Sequence, residues 1–213
     1  MILSVMVPLK TAVFNALLLL LSAAIIVTSV ANNLHMNDGV RIQDIIAGDV
    51  FFEIIDPPAL EYTYRIRPAK DFGGSFGPSF VVKEGKLVPA IPSDACEPGF
   101  ENENELKGNI ALIERGDCSF LTKAINVENA GARAVIITEM DSYMEDYDYY
   151  IEMIHDKTDR DTSIPAAFML GKNGLVIRKT LLKMKRTYAL INLPVNLTFM
   201  SPNQINQPPW LQW

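Results

Sequence analysis

The feature that most constrains the fold is a strand–helix–strand pattern near the centre of the chain. The aliphatic run Asn109–Glu114 predicts a buried strand, and the glycine within 115–117 predicts a tight turn after it. Apolar residues at helical spacing follow, with Ser119 as a plausible N-cap and Gly131 at the exit. A second aliphatic strand is predicted at Ala134–Thr138. If the two strands are parallel, the helix between them must make a right-handed crossover.

Further strands are predicted on both sides of this unit. Val50–Ile55 and Tyr62–Ile66 are rich in β-branched and aromatic residues, and we expect them to pair. The remaining strands are predicted at Lys86–Val88, Ile164–Leu170 and Tyr188–Leu193. A second helix is predicted from Leu175 to about Met184. Loops are predicted at Phe72–Gly77 and Asn102–Lys107.

The start of the chain has the composition of a secretory leader. Lys10 precedes an apolar run of twelve residues, Ala16–Val27, and small residues follow up to Ala31. We therefore expect a signal peptide that is cleaved after Ala31, followed by a loosely held arm at 32–48. The alternative is an uncleaved signal anchor, because residues 11–30 are long enough to span a bilayer.

The charge of the chain narrows the choice of partners. The net charge is −6 and the pI is near 5.0, and the sequence has no basic stripe. Nucleic acid is therefore not an expected partner. After cleavage we expect no membrane span, since the C-terminal tail is rich in Pro, Gln and Asn and lacks a lipid-anchor signal. These observations predict a secreted protein.

The two cysteines predict a disulfide. Cys96 and Cys118 would lie in an oxidising compartment, where an even count of cysteines favours a bridge. The alternatives are a reactive thiol or a metal-binding pair. Two histidines in the whole chain make a poor zinc site, so we expect neither a metal nor a cofactor.

One sequon predicts glycosylation. Asn196-Leu197-Thr198 satisfies the N-glycosylation pattern and lies beyond the last predicted strand, where a glycan can remain in water. We therefore expect a glycan on Asn196.

A serine motif raises the question of catalysis. Gly73-Gly74-Ser75-Phe76-Gly77 matches the G-x-S-x-G pattern, but Pro78 follows where a nucleophile elbow needs a helix. A general base is scarce, since the two histidines are His35 in the arm and His155. We expect a glycine-rich surface loop and no enzymatic activity.

An acidic, tyrosine-rich stretch runs from Glu139 to Asp161. Aromatic residues on an acidic loop are typical of recognition surfaces. Alternatively, one or two tyrosines pack against the sheet and the others are solvated. The metal-binding alternative for His155 lacks a second histidine at helical spacing, so a solvated acidic loop is expected there. The predicted partner-binding residues are Tyr143, Asp146, Tyr147 and Tyr149.

A family resemblance rests on the central unit. The run Gly108–Phe120, then Lys123, then Ala130–Ile137 resembles the core signature of the protease-associated (PA) domain family. Ile164–Ala166 and Gly174-Leu175 resemble the later strand and helix of that family. The resemblance implies a mixed α/β fold, with a curved β-sheet or open barrel and flanking helices. It also implies a non-catalytic role in binding other proteins.

Together these expectations describe a secreted, non-catalytic glycoprotein that acts as a protein-binding module. A luminal sorting or quality-control factor of the secretory pathway is the alternative, and a serine hydrolase using Ser75 is a remote one. The absence of a Lys-Asp-Glu-Leu retrieval signal favours export. The predicted segments are a signal peptide at 1–31, an arm at 32–48, a PA domain at 49–195 and a tail at 196–213.

Overall fold

Seven strands close into a barrel in the computed structural model, which describes residues 48–140, 148–198, 200 and 204–211. The neighbour order around the barrel is β1-β2-β6-β5-β4-β3-β7. The parallel neighbours are β3, β4, β5 and β6, and the other pairs are antiparallel. The strands are β1 (Val50–Asp56), β2 (Thr63–Pro68), β3 (Val82–Pro89), β4 (Ile110–Glu114), β5 (Ala134–Thr138), β6 (Ala166–Met169) and β7 (Ala189–Leu193).

Within the described ranges, three α-helices and the 3₁₀ turn between β1 and β2 accompany the barrel. The turn Pro58–Leu60 connects β1 and β2. The helices are α1 (Glu103–Leu106), α2 (Phe120–Asn129) and α3 (Gly171–Lys183). The predicted mixed α/β class and curved sheet are confirmed.

The sheet closes further than the open barrel that the sequence predicts. The first and last strands pair with each other, and Glu53 lies opposite Asn192. The side-chain amide of Asn192 donates to Glu53 Oε1 over 2.7 Å. The order of strands along the chain does not reveal this pairing, because it joins segments about 140 residues apart.

The central strands are buried on both faces, as expected for parallel strands covered by helices. Every residue of β4, β5 and β6 is buried. Alternate residues fall into two core clusters. Leu112 and Ile136 pack in the cluster that includes Ile177 of α3, while Ile113 belongs to the cluster shared with Val127 of α2. The strand–helix–strand unit therefore separates the two cores.

The local signals for α2 are confirmed. The Ser119 hydroxyl accepts a hydrogen bond from the backbone N–H of Thr122, which caps the first turn. Gly131 has a φ of +85°, a conformation that disfavours other residues. The crossover between β4 and β5 is therefore encoded by short-range sequence features.

Other boundaries differ from the sequence prediction. The helix α3 begins four residues earlier than expected, and it includes Gly174, which was predicted to precede it. A Cβ on Gly174 would lie 2.1 Å from Thr138 Oγ1, so the glycine allows α3 to approach β5 closely. The loop predicted at Asn102–Lys107 contains α1, because Leu106 is fully buried and fixes that turn to the core.

The described part of the C-terminal tail packs on the barrel. The backbone N–H of Thr63 donates to the carbonyl of Asn206 over 2.7 Å. Trp210 stacks edge-on against Tyr62 and donates through Nε1 to Asn173 Oδ1 over 2.9 Å. These tail residues are thus part of the domain's packing.

The predicted signal peptide at 1–31 and nearly all of the arm at 32–48 lie outside the described residues. Among the helices that are described, none combines the length and apolarity needed to cross a membrane.

Candidate functional site

The loops that follow the parallel strands form the candidate site. The strands β4, β5 and β6 are parallel neighbours, so they end at the same edge of the sheet. Ligand and partner sites of α/β folds concentrate at such edges, because the loops there converge on a rigid frame. The described segments concerned are 115–119, after β4, and 139–140 and 148–165, after β5.

The predicted disulfide is confirmed at this edge. Cys96 and Cys118 are bonded, and both are partly accessible to solvent. The segment around Cys96 is also tied to α2 without the bond. The side-chain amide of Asn126 donates to the carbonyls of Ala95 and Cys96 over 3.0 and 2.9 Å.

A buried lysine lies beside the disulfide. Lys123, on the first turn of α2, is fully buried, and its ammonium group donates to the carbonyl oxygen of Asp94. Its Nζ also lies 3.3 Å from Cys96 Sγ. Burial lowers the pKa of Lys123, and the nearby carboxylates of Asp94, Asp117 and Glu114 oppose that shift. The sequence placed Lys123 in the family motif but did not reveal this environment.

Two buried carboxylates at the strand ends are paired with arginines. Glu114, the last residue of β4, lies 2.5 Å from Arg178 Nη1 and accepts from the Ser93 hydroxyl. Glu139 is fully buried after β5 and accepts from Arg115 Nη1 over 2.8 Å. A buried charge requires such a partner, so these carboxylates are occupied by structural contacts.

The loop 148–165 is held against α2 by hydrogen bonds. Ser119 Oγ donates to Asp156 Oδ2 over 2.6 Å, and the Thr162 hydroxyl donates to Glu128 over 2.6 Å. The hydrogen bond from Ser119, with others from the loop, lowers the pKa of Asp156 well below its usual range. Residues 157–161 are exposed, in agreement with the predicted solvated acidic loop, and the hydrogen bonds to α2 were not predicted.

His155 uses both ring nitrogens inside the same loop. Its Nδ1 accepts from the backbone N–H of Lys157 over 2.9 Å, so Nε2 carries the proton that it donates to the carbonyl of Arg160 at 3.1 Å. Neither nitrogen is left to act as a base or ligand in this arrangement. Within the described ranges, no cluster of three or more His, Cys, Asp or Glu residues is arranged to hold a metal ion.

The Ser75 motif does not form a nucleophile elbow. Ser75 is exposed, and irregular structure surrounds it where an elbow needs a strand and a helix. The neighbouring Gly74 forms an isolated bridge with Pro165, and its N–H donates to the carbonyl of Ile164. Phe72 and Phe76 are buried. The predicted surface loop is therefore anchored by two aromatic side chains.

Within the tyrosine-rich stretch, residues 148–155 form an anchored segment without regular secondary structure. The ring of Tyr150 packs against the guanidinium groups of Arg65 and Arg67, at 5.0 and 4.7 Å from its centroid. Both arginines are ion-paired with the nearly buried carboxylate of Asp49. Burial raises the pKa of Tyr150, so its hydroxyl stays protonated and donates to the carbonyl of Arg65.

The 148–155 segment exposes two large apolar side chains that flank its anchors, Tyr150 and Met153. Tyr149 and Ile154 are each 67% exposed, whereas Met153 is buried. Tyr149 is the one predicted partner-binding residue that the structure describes. Ile154 was missed, because a single aliphatic residue in a polar stretch gives no periodic signal. Tyr143, Asp146 and Tyr147 lie outside the described residues.

The sequon lies on a turn just after β7. Asn196 and Thr198 are exposed, while Leu197 between them is buried. Asn196 Oδ1 accepts from the backbone N–H and the hydroxyl of Thr198 over 3.0 and 2.6 Å. The turn borders a cavity of about 170 Å³ that residues 49–51 and 194–198 line. The side chain that would carry a glycan is therefore accessible.

A strand–helix–strand unit set in a seven-stranded barrel, with its loops gathered at one edge, defines the class of this protein. The family model of the PA domain matches residues 83–177. The chain belongs to the PA domain family. It is 52% identical over 195 residues to the PRADC1-like protein of Drosophila melanogaster, with 91% of this chain and 97% of that protein covered.

Other similar proteins match this chain over only part of their own length. Signal peptide peptidase-like 2 of Arabidopsis thaliana is 35% identical over 127 residues, which are 57% of this chain and 22% of that protein. A solved aminopeptidase from Aneurinibacillus overlaps 68% of this chain and 30% of its own, with 21% identity and a TM-score of 0.45.

Proposed function

We propose that this protein is a secreted, non-catalytic glycoprotein that binds another protein through the 148–155 segment of its PA domain. The observation that carries the proposal is that this segment combines residues packed against the domain with large apolar residues exposed to solvent. Tyr150 and Met153 fix it to the domain, while Tyr149 and Ile154 are 67% exposed on either side of them. A large aromatic and an aliphatic side chain held on an anchored backbone provide contact area at low entropic cost.

The charge around the segment favours a basic partner. Between residues 139 and 161 the chain has nine acidic residues against Lys157 and Arg160. Asp148 and Glu152 are 65% and 62% accessible, and each forms a surface ion pair, with Lys172 and Lys70 respectively, that a basic partner would compete with. Complementary charge speeds encounter and excludes wrong partners, and its effect weakens with salt.

The non-catalytic part of the proposal is supported by how the polar groups at the strand ends are used. Glu114 and Glu139 are paired with arginines, and His155 is hydrogen-bonded at both nitrogens. These are three of the groups at this edge that could otherwise supply general acid or base chemistry. Labelling with a fluorophosphonate probe tests the remaining alternative: we expect Ser75 to stay unmodified, and a labelled Ser75 would contradict this.

Secretion is supported by the leader-like start of the sequence, by the disulfide and by the exposed sequon at Asn196. Sequencing the protein from the medium of expressing cells tests it. We expect a new N-terminus near Asn32 and a glycan on Asn196. Recovery of Met1 in the membrane fraction would favour a signal anchor.

The binding proposal is tested by the double variant Tyr149→Ser/Ile154→Ser in the full secreted chain. Leu182 and Met184, at the end of α3, are also exposed, at 79% and 44%, so Leu182→Ser/Met184→Ser is a matched control. We expect the first variant to lose cross-linked protein partners at the cell surface, and the control to retain them. Unchanged partners in the first variant at low salt, with normal secretion, would refute the proposed surface.

A further inference from the structure

The ammonium group of Lys123 has poor acceptors for a buried charge. Lys123 is fully buried, and its two hydrogen-bond acceptors are both neutral: the carbonyl of Asp94 and the disulfide sulfur of Cys96, at 3.3 Å. The carboxylates of Asp94, Asp117 and Glu114 stabilise its charge electrostatically. A disulfide sulfur is a weak acceptor, whereas a thiolate is a strong one. Breaking the disulfide would therefore give this ammonium group a better partner than it has now.

The second sulfur lies at the N-terminus of a helix, with the carboxylate-bearing Asp117 directly before it in the chain. Cys118 directly precedes Ser119, the N-cap of the ten-residue helix α2. The N-terminus of a helix carries a partial positive charge, which lowers the pKa of nearby thiols. Neither Cys96 nor Cys118 is fully buried, so the bond lies near the surface of the domain.

We propose that Cys96–Cys118 is a thiol–disulfide exchange site that oxidises dithiols, with Lys123 as the positioning residue that stabilises the Cys96 thiolate. The reaction partner is a dithiol, such as the reduced form of a dithiol oxidoreductase. The inference is independent of the binding surface at 148–155.

The exchange balances in two steps. A thiolate of the dithiol attacks Cys118 Sγ, the protein S–S bond breaks, and its electron pair leaves on Cys96, which becomes a thiolate beside Lys123. The second thiol of the partner gives up its proton and attacks the mixed disulfide, which releases Cys118. The partner leaves as a disulfide, and the protein has gained two electrons. Of the two protons lost by the partner, one ends on Cys118 and the other passes to solvent.

The surroundings of the bond allow reduction without loss of the fold. Asn126 holds the carbonyls of Ala95 and Cys96, and the N–H of Glu114 donates to the carbonyl of Ser93 over 2.8 Å. These contacts keep the segment before Cys96 attached to α2 and β4 after the bond is cut. The two thiols therefore remain close enough to re-form the disulfide.

The first test measures the equilibrium between the disulfide and dithiothreitol buffers of defined redox composition. Lys123→Met removes the charge at nearly constant length, and Lys107→Met makes the same change at an exposed lysine. We expect the equilibrium constant for reduction of the disulfide to be about tenfold smaller in Lys123→Met. This corresponds to a reduction potential about 30 mV lower. Lys107→Met should match the wild type. An unchanged equilibrium for Lys123→Met, with a folded protein, would overturn the proposal.

A second test does not depend on replacing the buried lysine. In Cys118→Ser, Cys96 is a free thiol beside Lys123, and the rate of its alkylation against pH gives its pKa. We expect a pKa at least one unit below the ordinary value of about 8.5. A value at or above 8.5 would show that Lys123 does not stabilise the thiolate, and the proposal would fail.

Discussion

The guanidinium group of Arg67 lies 4.7 Å from the ring centroid of Tyr150 and attaches the loop after β5 to β2. Asp49 also contacts this arginine, through an ion pair at 3.3 Å. A loop that follows one strand is thus fixed to a strand on the other side of β6. Tyr149, the residue before Tyr150, is therefore exposed to solvent on a backbone that Tyr150 holds in place.

Tyr150→Ala should destabilise the domain by about 2 kcal/mol, because it removes a partly buried aromatic ring and two cation–π contacts. Urea unfolding measures this change. The matched control is Tyr149→Ala, which should alter the free energy of unfolding by less than about 0.5 kcal/mol because that side chain is exposed. Equal effects of the two variants would contradict the anchoring role.

Gly174→Ala should destabilise the domain by about 1–3 kcal/mol, although alanine normally favours a helix. The added Cβ would lie 2.1 Å from Thr138 Oγ1 and force α3 away from β5. Thermal unfolding compares this variant with Lys179→Ala on the exposed face of the same helix, which should be nearly neutral. A stabilised Gly174→Ala protein would show that the two elements are not in close contact.

The domain should lose stability in acid partly through Glu128. Burial alone would raise the pKa of Glu128, but hydrogen bonds from Ser163 and Thr162 outweigh it and hold the pKa below its usual value. A lowered folded-state pKa stabilises the protein above the unfolded-state pKa of about 4.3, and this contribution disappears as the pH falls through the folded-state value. Between pH 5 and 3, the wild type should therefore lose more stability than Glu128→Gln. Parallel losses would contradict this assignment.

The sequence predicted those parts of the structure that depend on near neighbours. The strands β4 and β5 and the helix α2 follow from aliphatic runs, helical spacing and the Ser119 cap, all within about thirty residues. The Cys96–Cys118 bond followed from there being two cysteines in a predicted oxidising compartment.

The parts that were missed depend on distant contacts. Barrel closure pairs β1 with β7, and the burial of Leu106 depends on the assembled core. Likewise, Tyr150 is distinguished from Tyr149 by Arg65, which is 85 residues away along the chain. Local pattern cannot decide which of two adjacent tyrosines is buried, because both satisfy the same propensity.

Site-specific photo-cross-linking tests the central claim, that the 148–155 segment binds a protein partner. A benzophenone amino acid would replace Tyr149 in one full-length secreted protein and Leu182 in another, since both positions are exposed, at 67% and 79%. We predict discrete protein adducts from position 149 that weaken as salt is raised, and none from position 182. Adducts of equal yield from the two positions, or from position 182 alone, would contradict the claim.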